Sequence, residues 1–417
     1  MSWMRASDPI RFCDRGIRAV LAMEVILLPF AKRYALHTLG MVLLILLWLA
    51  KMGLSKQWLW RRTPLDRPIL LFVAWGLLSA LFSTHPRYSL GAWRTEMVTQ
   101  FFFFYLVVTH LQDRSTFRAV HRALMLGSAC MACAGVYEFF ARGGDFRLRS
   151  VRIGALSADY NYASTYFILV IPMILHAVIT ERSARRKGCF GLLLAMNLLA
   201  LYFTFTRAAW MGLIAGLLVL GLSVGKRLSV PIMILLGLTA LWPVVTHTGN
   251  TFYRNMGGAD DLGRISTWVW GMDQIKQHPL LGIGYGRETM RKAFPERTEE
   301  IRRGLWHLHN TFLETTLEMG LPGGLLLLLL WLWLLRLLIL GYRQAPVLED
   351  RWLMLTLVML WVAYFVRNQF DHLYVDAPAV LFWILMGLGV SRVGLISEGA
   401  RLPVRSEPEP RFLVSEK

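Results

Sequence analysis

The sequence predicts an all-α, polytopic membrane protein with about twelve transmembrane helices and one long outward-facing loop that contains short helices. Three observations carry that prediction. The 417 residues are 55% hydrophobic and their mean hydropathy is +0.46, more apolar surface than one water-soluble core can hide. Apolar blocks of about 17–25 residues, each long enough to cross roughly 30 Å of hydrocarbon, recur from end to end. Short polar turns separate them, and alternate turns are rich in arginine and lysine.

In chain order the spans are read at 17–32, 35–52, 68–83, 95–112, 117–140, 160–180, 189–205, 208–225, 228–247, 322–341, 352–367 and 375–395. Basic residues near span ends are retained in the cytoplasm. They cluster at Arg5, Arg11 and Arg15; at Lys51, Lys56, Arg61, Arg62 and Arg67; at Arg114, Arg118 and Arg122; at Arg182, Arg185, Arg186 and Lys187; and at Lys226 and Arg227. Both termini are therefore expected in the cytoplasm. The first apolar block has no small-residue cleavage site behind it and reads as a retained span, not a signal peptide. The net charge of +18 raises nucleic acid as a partner, but the arginines sit at span ends and not on one soluble face, so membrane topology accounts for them. The expected organisation is 1–247 with nine spans, 248–321 as the outer loop and a helix carrying chemistry, 322–397 with three spans, and 398–417 as a cytoplasmic tail.

The outer loop is long enough to hold chemistry. Within it "DLGRISTWVWGMDQIKQHPLLGIGYG" reads as a turn, a short helix with Ile265, Trp268, Met272 and Ile275 on one face, and a glycine-rich turn. That helix is expected along the membrane surface, with Arg264 at its start. Gly282, Gly284 and Gly286 do not form a nucleotide fingerprint, because no strand precedes them and no Gly-Lys-Ser/Thr follows. Asp260 and Asp261 are adjacent, yet no further carboxylate or histidine stands at ligand spacing, so no metal site is expected. Cys13, Cys130, Cys133 and Cys189 read as packing residues, not as disulfides or a zinc site.

Some outward loops are basic against the topological rule. "ARGGDFRLRSVRIG" carries Arg142, Arg147, Arg149 and Arg152, and "FTFTRAAW" holds Arg207 between two apolar blocks. Snorkelling to headgroups accounts for Lys32 and Arg33, whereas Arg207 has no room to reach away from the spans. In "LWHLHNTFLETTLEMGLPGG", Gly320, Pro322, Gly323 and Gly324 break the helical run, and Pro322 opens the tenth span at a first-turn position. Residues 310–319 then form a short helix above the membrane, with His309 at its start and Glu314 and Glu318 one turn apart on one face. Imidazole titrates near pH ~6.5, so His309 there serves as a proton acceptor or as a structural cap; the residues alone leave both open. His307, two residues away, is expected to point elsewhere. Asp371 and His372, in "RNQFDHLY", read as a base- or acceptor-orienting pair or as a satisfied polar cluster.

These residues carry a resemblance. The chain is similar to the bacterial O-antigen ligases, whose pattern of His, then Asn, Ser or Gln, nine residues, Gly, two residues, Gly is matched by His309, Asn310, Gly320 and Gly323. "TRAAW" at 206–210 and "GRISTW…HPLLGIGYG" at 263–286 resemble two further signatures of that family, in the same order. The resemblance implies transfer of O-antigen polysaccharide from undecaprenyl diphosphate to the lipid A core oligosaccharide, at the periplasmic face of the bacterial inner membrane. The long loop is then periplasmic, and the partners are the two substrates and membrane lipid, with no cofactor. By position, His309 matches the family's essential histidine, and Arg207 and Arg264 its essential arginines. Guanidinium forks suit a diphosphate on which charge develops. A histidine base attacking from the opposite face predicts inversion at the anomeric carbon. Arg147, Arg149, Arg152, Asn310, Asp371 and His372 are the further substrate-binding candidates. An O-antigen polymerase or a protein O-oligosaccharyltransferase shares the donor and much of the motif. The absence of a large C-terminal periplasmic domain argues mildly against the latter. A polysaccharide or lipid transporter is the reading of another class, and its ionisable residues are expected at the midplane, whereas these cluster at the outer ends.

Overall fold

The computed structural model describes residues 8–30, 34–110, 114–146, 151–223, 259–297 and 306–399. Every regular element among them is helical. In chain order they are α1 (Asp8–Leu27), α2 (Tyr34–Ser55), α3 (Asp66–Leu81), α4 (Pro86–Ala92) running through a wide π-turn (Trp93–Val98) into α5 (Thr99–His110), α6 (Arg114–Ala141), α7 (Tyr160–Thr180), α8 (Ala184–Phe203), α9 (Arg207–Ser223), α10 (Ala259–Gln277), α11 (Thr289–Ala293), α12 (Thr311–Gln344), α13 (Leu348–Arg367) and α14 (Asp376–Gly399).

Six helical stretches, 35–55, 117–141, 160–180, 184–203, 311–344 and 376–394, are long and apolar enough to cross a membrane. About twelve were expected. The helices at five other expected spans are shorter or more charged: α3 has 16 residues, α9 has 17, α5 has 12, α1 carries acids and arginines along its length and α13 carries them at its two ends. The remaining expected span, 228–247, lies outside the described residues, as do Lys32, Arg33, Arg147 and Arg149.

At 34 residues, α12 is about 51 Å long, well beyond roughly 30 Å of hydrocarbon. It breaks at Gly320, whose φ of 72° and ψ of 179° leave helical space. The broken end is held by the segment 279–284. Ile283 and Gly284 donate to the carbonyls of Leu317 and Glu318, each at 3.0 Å, and Leu321 donates to Pro279 at 2.8 Å. Ser79 and the Trp75 indole bind the carbonyls of Glu318 and Met319. A Cβ on Gly320 would lie 2.1 Å from the Leu280 carbonyl oxygen, and one on Gly282 2.4 Å from Glu318. The glycine-rich turn therefore serves backbone-to-backbone docking, which satisfies carbonyls orphaned at a helix end.

Of the face expected on α10, Ile275 is buried and Trp268 packs beside it, while Ile265 and Met272 are exposed; Thr267 is buried as well, with Gly271 against the Leu308 side chain. The helix packs on a small outer cluster of Ile275, Ile283, Met290, Leu308 and Leu317. One expectation about packing is corrected. Cys130, Cys133 and Cys189 are exposed, so of the four cysteines only Cys13 is a buried packing residue.

Candidate active site

The helix break places residues 311–319 beyond the main run of α12, and Asn310 starts them. Its side chain accepts from the amides of Phe312 and Leu313 at 3.0 and 3.1 Å, satisfying two donors that the first turn leaves open. Its amide nitrogen reaches the Gln369 carbonyl, while Thr311 donates through its backbone to Asn368 and through its hydroxyl to the Asn368 side chain, at 2.9 and 2.7 Å. The helix start is thus bolted to the loop that follows α13. The Glu314 carboxylate accepts the Leu308 amide, and the Trp268 indole binds the Leu308 carbonyl.

The clamped backbone presents His309 with a φ of 50°, a left-handed conformation that costs a side-chain-bearing residue of the order of 1–3 kcal/mol and persists where surroundings enforce it. His309 Nδ1 lies 3.3 Å from Asp371 Oδ1. That contact selects the tautomer with the proton on Nδ1 and leaves basicity on Nε2. Asp371 also binds Arg367 Nη2 at 3.3 Å and accepts the His372 amide at 2.9 Å. Burial alone would push the Asp371 carboxyl up, but the His309 hydrogen bond and the Arg367 guanidinium hold it well below the usual carboxylate range. It is ionised.

His307 corrects the expectation that it points away. It is buried, its ring centroid lies 3.9 Å from that of His309, its Nδ1 accepts the His309 amide at 3.1 Å, and its Nε2 is 3.7 Å from Asp371. Burial first, then the neighbouring His309, push its pKa well down. His372 is also buried, and burial followed by the Arg287 charge lowers it to about 3; its Nδ1 faces the Thr311 hydroxyl at 3.3 Å. Ligand atoms of His307, His309 and Asp371 all lie within 4.8 Å of one another, a grouping able to hold a metal ion. The sequence offered no such set because Asp371 is far from the histidines along the chain.

The other candidates fall around this core. Arg264 lies on the inward face of α10, one turn before Thr267 and in its second turn, not at the helix start as expected. Its charge is felt by Arg367, which is 1% exposed and also binds Asn161. Arg207 opens α9, which packs closely on α13: a Cβ on Gly212 would lie 2.5 Å from the Ala363 carbonyl oxygen. Five residues separate Gly212 from Arg207, which places Arg207 about 7–8 Å further out along the axis. Arg152 is tied down, with Nε on the Thr204 carbonyl at 3.0 Å, Nη2 on Thr206 at 3.2 Å and its guanidinium 3.3 Å from the Tyr160 ring centroid. Arg142 bonds Glu138 and the Arg152 carbonyl.

Two residues escaped the sequence reading. Arg287 donates to the Tyr162 hydroxyl and sits 5.0 Å from the Trp306 ring centroid; its signal was a lone arginine closing the glycine-rich turn. Arg367 stands four residues before Asp371 at the end of an apolar helix, a spacing that pairs opposite charges.

Residues 191–328 match the model of a family described as O-antigen ligase. None of the curated proteins compared matches the chain. The matched stretch contains Arg207, Arg264, His309 and Asn310; Arg367, Asp371 and His372 lie beyond it.

Proposed function

We propose, with assignment to the O-antigen ligase family as the premise, that this chain transfers O-antigen polysaccharide from undecaprenyl diphosphate to the lipid A core oligosaccharide, with inversion, at the periplasmic face of the bacterial inner membrane. One observation carries the reading: a histidine held in a left-handed backbone against an ionised aspartate, with Arg367 and the charge of Arg264 beside it.

His309 Nε2 takes the proton of the acceptor hydroxyl as that oxygen bonds the anomeric carbon. The bond from that carbon to the diphosphate oxygen breaks, and its electron pair leaves with the diphosphate. Asp371 orients His309 and stabilises the imidazolium that forms. Arg207 and Arg264 bind the diphosphate oxygens, meeting the growing charge with fixed guanidinium groups and no bound ion. Arg367 and His307 hold Asp371. Arg152 and Asn310 keep the heads of α9 and α12 in place, which supports the reacting groups without touching substrate.

The reading is tested in a strain lacking the protein. Full-length polysaccharide should accumulate on its lipid carrier while lipid A remains without it. Shortened polysaccharide would indicate a polymerase instead.

A further inference from the structure

At the outer ends of α1, α7 and α14 the protein has a partly open cavity of about 270 Å³. Arg287, Asp159, Asp376 and Tyr162 give it polar walls, and Phe30 and Pro378 give it apolar ones. Arg287 joins this space to the reaction centre. Its guanidinium packs over Trp306, Trp306 lies edge-on to His307 at 4.5 Å, and the His307 ring lies tilted against that of His309, centroids 3.9 Å apart. Arg287 Nε is buried with no hydrogen-bond partner among the described residues, although a guanidinium ordinarily uses all its donors when withdrawn from water.

The chemistry of the walls narrows the ligand. One guanidinium and two carboxylates do not attract phosphate, because the carboxylates repel it. They suit a hydroxyl-rich ring, whose O–H groups donate to the acids and whose oxygens accept from the arginine, with apolar surface for its C–H face. The size falls just below the roughly 300–1,000 Å³ of small-molecule sites and gives room for a single sugar ring. Arg207, Arg264 and Arg367 are not among the lining residues. A hydroxyl nucleophile has to reach the anomeric carbon from the side away from the departing diphosphate, and Arg287, through Trp306, links the cavity wall to the histidines.

We propose that this cavity is the acceptor subsite, holding one uncharged sugar ring of the acceptor oligosaccharide and directing a hydroxyl to His309. Its role as an acceptor site rests on the transferase reading; its capacity to bind sugar does not.

The test uses the full chain in lipid nanodiscs, with core oligosaccharide released by mild acid from lipopolysaccharide of the same strain as the probe. Binding is measured for the wild type, for Ala377→Phe, which fills the cavity from the α14 side, and for Arg287→Gln. Each variant should weaken oligosaccharide binding at least about tenfold and leave binding of the lipid diphosphate donor within about twofold. Phe30→Ala, which removes an apolar wall, gives the same readout should either variant lose its cooperative melting. Oligosaccharide binding equal to wild type in variants that melt normally would overturn the proposal. So would a parallel loss of donor binding, which would make the cavity part of the donor site. If the deletion strain still attached polysaccharide to lipid A while these variants lost oligosaccharide binding, the transferase reading would fall and the sugar site would stand.

Discussion

Among the described residues, two half-buried histidines, His37 and His309, each face a buried carboxylate, and their surroundings differ. His37 Nδ1 lies 2.7 Å from Glu24 Oε2, between α1 and α2. His309 Nδ1 lies further from Asp371, at 3.3 Å, so distance alone would favour the His37 pair. Glu24 Oε1 has no hydrogen-bond partner among the described residues and packs so closely on Gly40 that a Cβ there would lie 1.8 Å away. The His37 ring is stacked on Phe103. Asp371, in contrast, is held by Arg367, by the His372 amide and by two histidines; His309 is forced to a φ of 50°; and a polar cavity stands nearby. The lesson is that a general base is recognised by what fixes and charges its partner, not by the pair itself.

The largest effect should come from the arginines. Arg207→Ala and Arg264→Ala should each lower transfer by about 10³-fold or more while the melting temperature stays near wild type, because a phosphate partner is removed and no core is opened. Lysine at either position should restore only part of the rate, since it keeps the charge and loses the fork. An alanine variant with full activity would take that arginine out of the mechanism.

Asp371→Asn should slow transfer by about 10²-fold through loss of the imidazole's orientation. His37→Gln should change it less than about twofold. A rate loss of similar size in both would erase the distinction between the two pairs.

These outcomes bear on how much could be read from the chain. The helix over 310–319 and the break at Gly320 were legible because both are local chemistry, and a glycine supplies positive φ; the capping side chain is Asn310, which accepts from the amides two and three residues on, and not His309. The partnership of His309 with Asp371 was not, because it is made by tertiary packing of the α12 start on the loop after α13. His307 was misplaced for a related reason. Helical spacing sends residues two apart to different sides, but the left-handed turn at His309 brings both rings together.

The buried histidines make a smaller prediction, in stability. His307 and His372 have depressed pKa values when folded, by burial first and then by His309 and Arg287 respectively, against about 6.5 when unfolded. Below about pH 6.5 the unfolded chain therefore binds more protons, so stability falls as the pH falls. Asp371 works in the opposite range. Its depressed carboxyl contributes stability above the unfolded value of about 3.9 and loses it only as the pH drops through the still lower folded value. Burial raises Glu314 to about 8 and Glu318 well above the usual carboxylate range, so these acids work against the histidines between pH 7.5 and pH 5. From pH 7.5 to pH 5 the melting temperature of His372→Gln in detergent should therefore rise relative to that of the wild type, and an equal shift in both would mean that His372 has no depressed pKa in the fold.

The smallest expected effect is none. Asp371 is already neutralised by Arg367 at 3.3 Å, which weakens the His307–His309–Asp371 set as a cation site. Purified protein with both lipid substrates should stay fully active in excess EDTA, and Asp260→Asn should leave the rate unchanged. Activity lost to chelator and recovered with Mg²⁺, Mn²⁺ or Zn²⁺ would turn those three residues into metal ligands.

The central claim is that His309 acts in the chemical step and the arginines act on the donor. It is tested most directly by measuring, on the same preparations, donor binding and single-turnover transfer for His309→Ala, Arg207→Ala and Arg264→Ala. The account predicts that His309→Ala binds the lipid diphosphate nearly as the wild type does and transfers about 10²–10⁴-fold more slowly, whereas both arginine variants bind it weakly. Equal loss of donor binding in all three would contradict it, and would make His309 a residue that positions the donor.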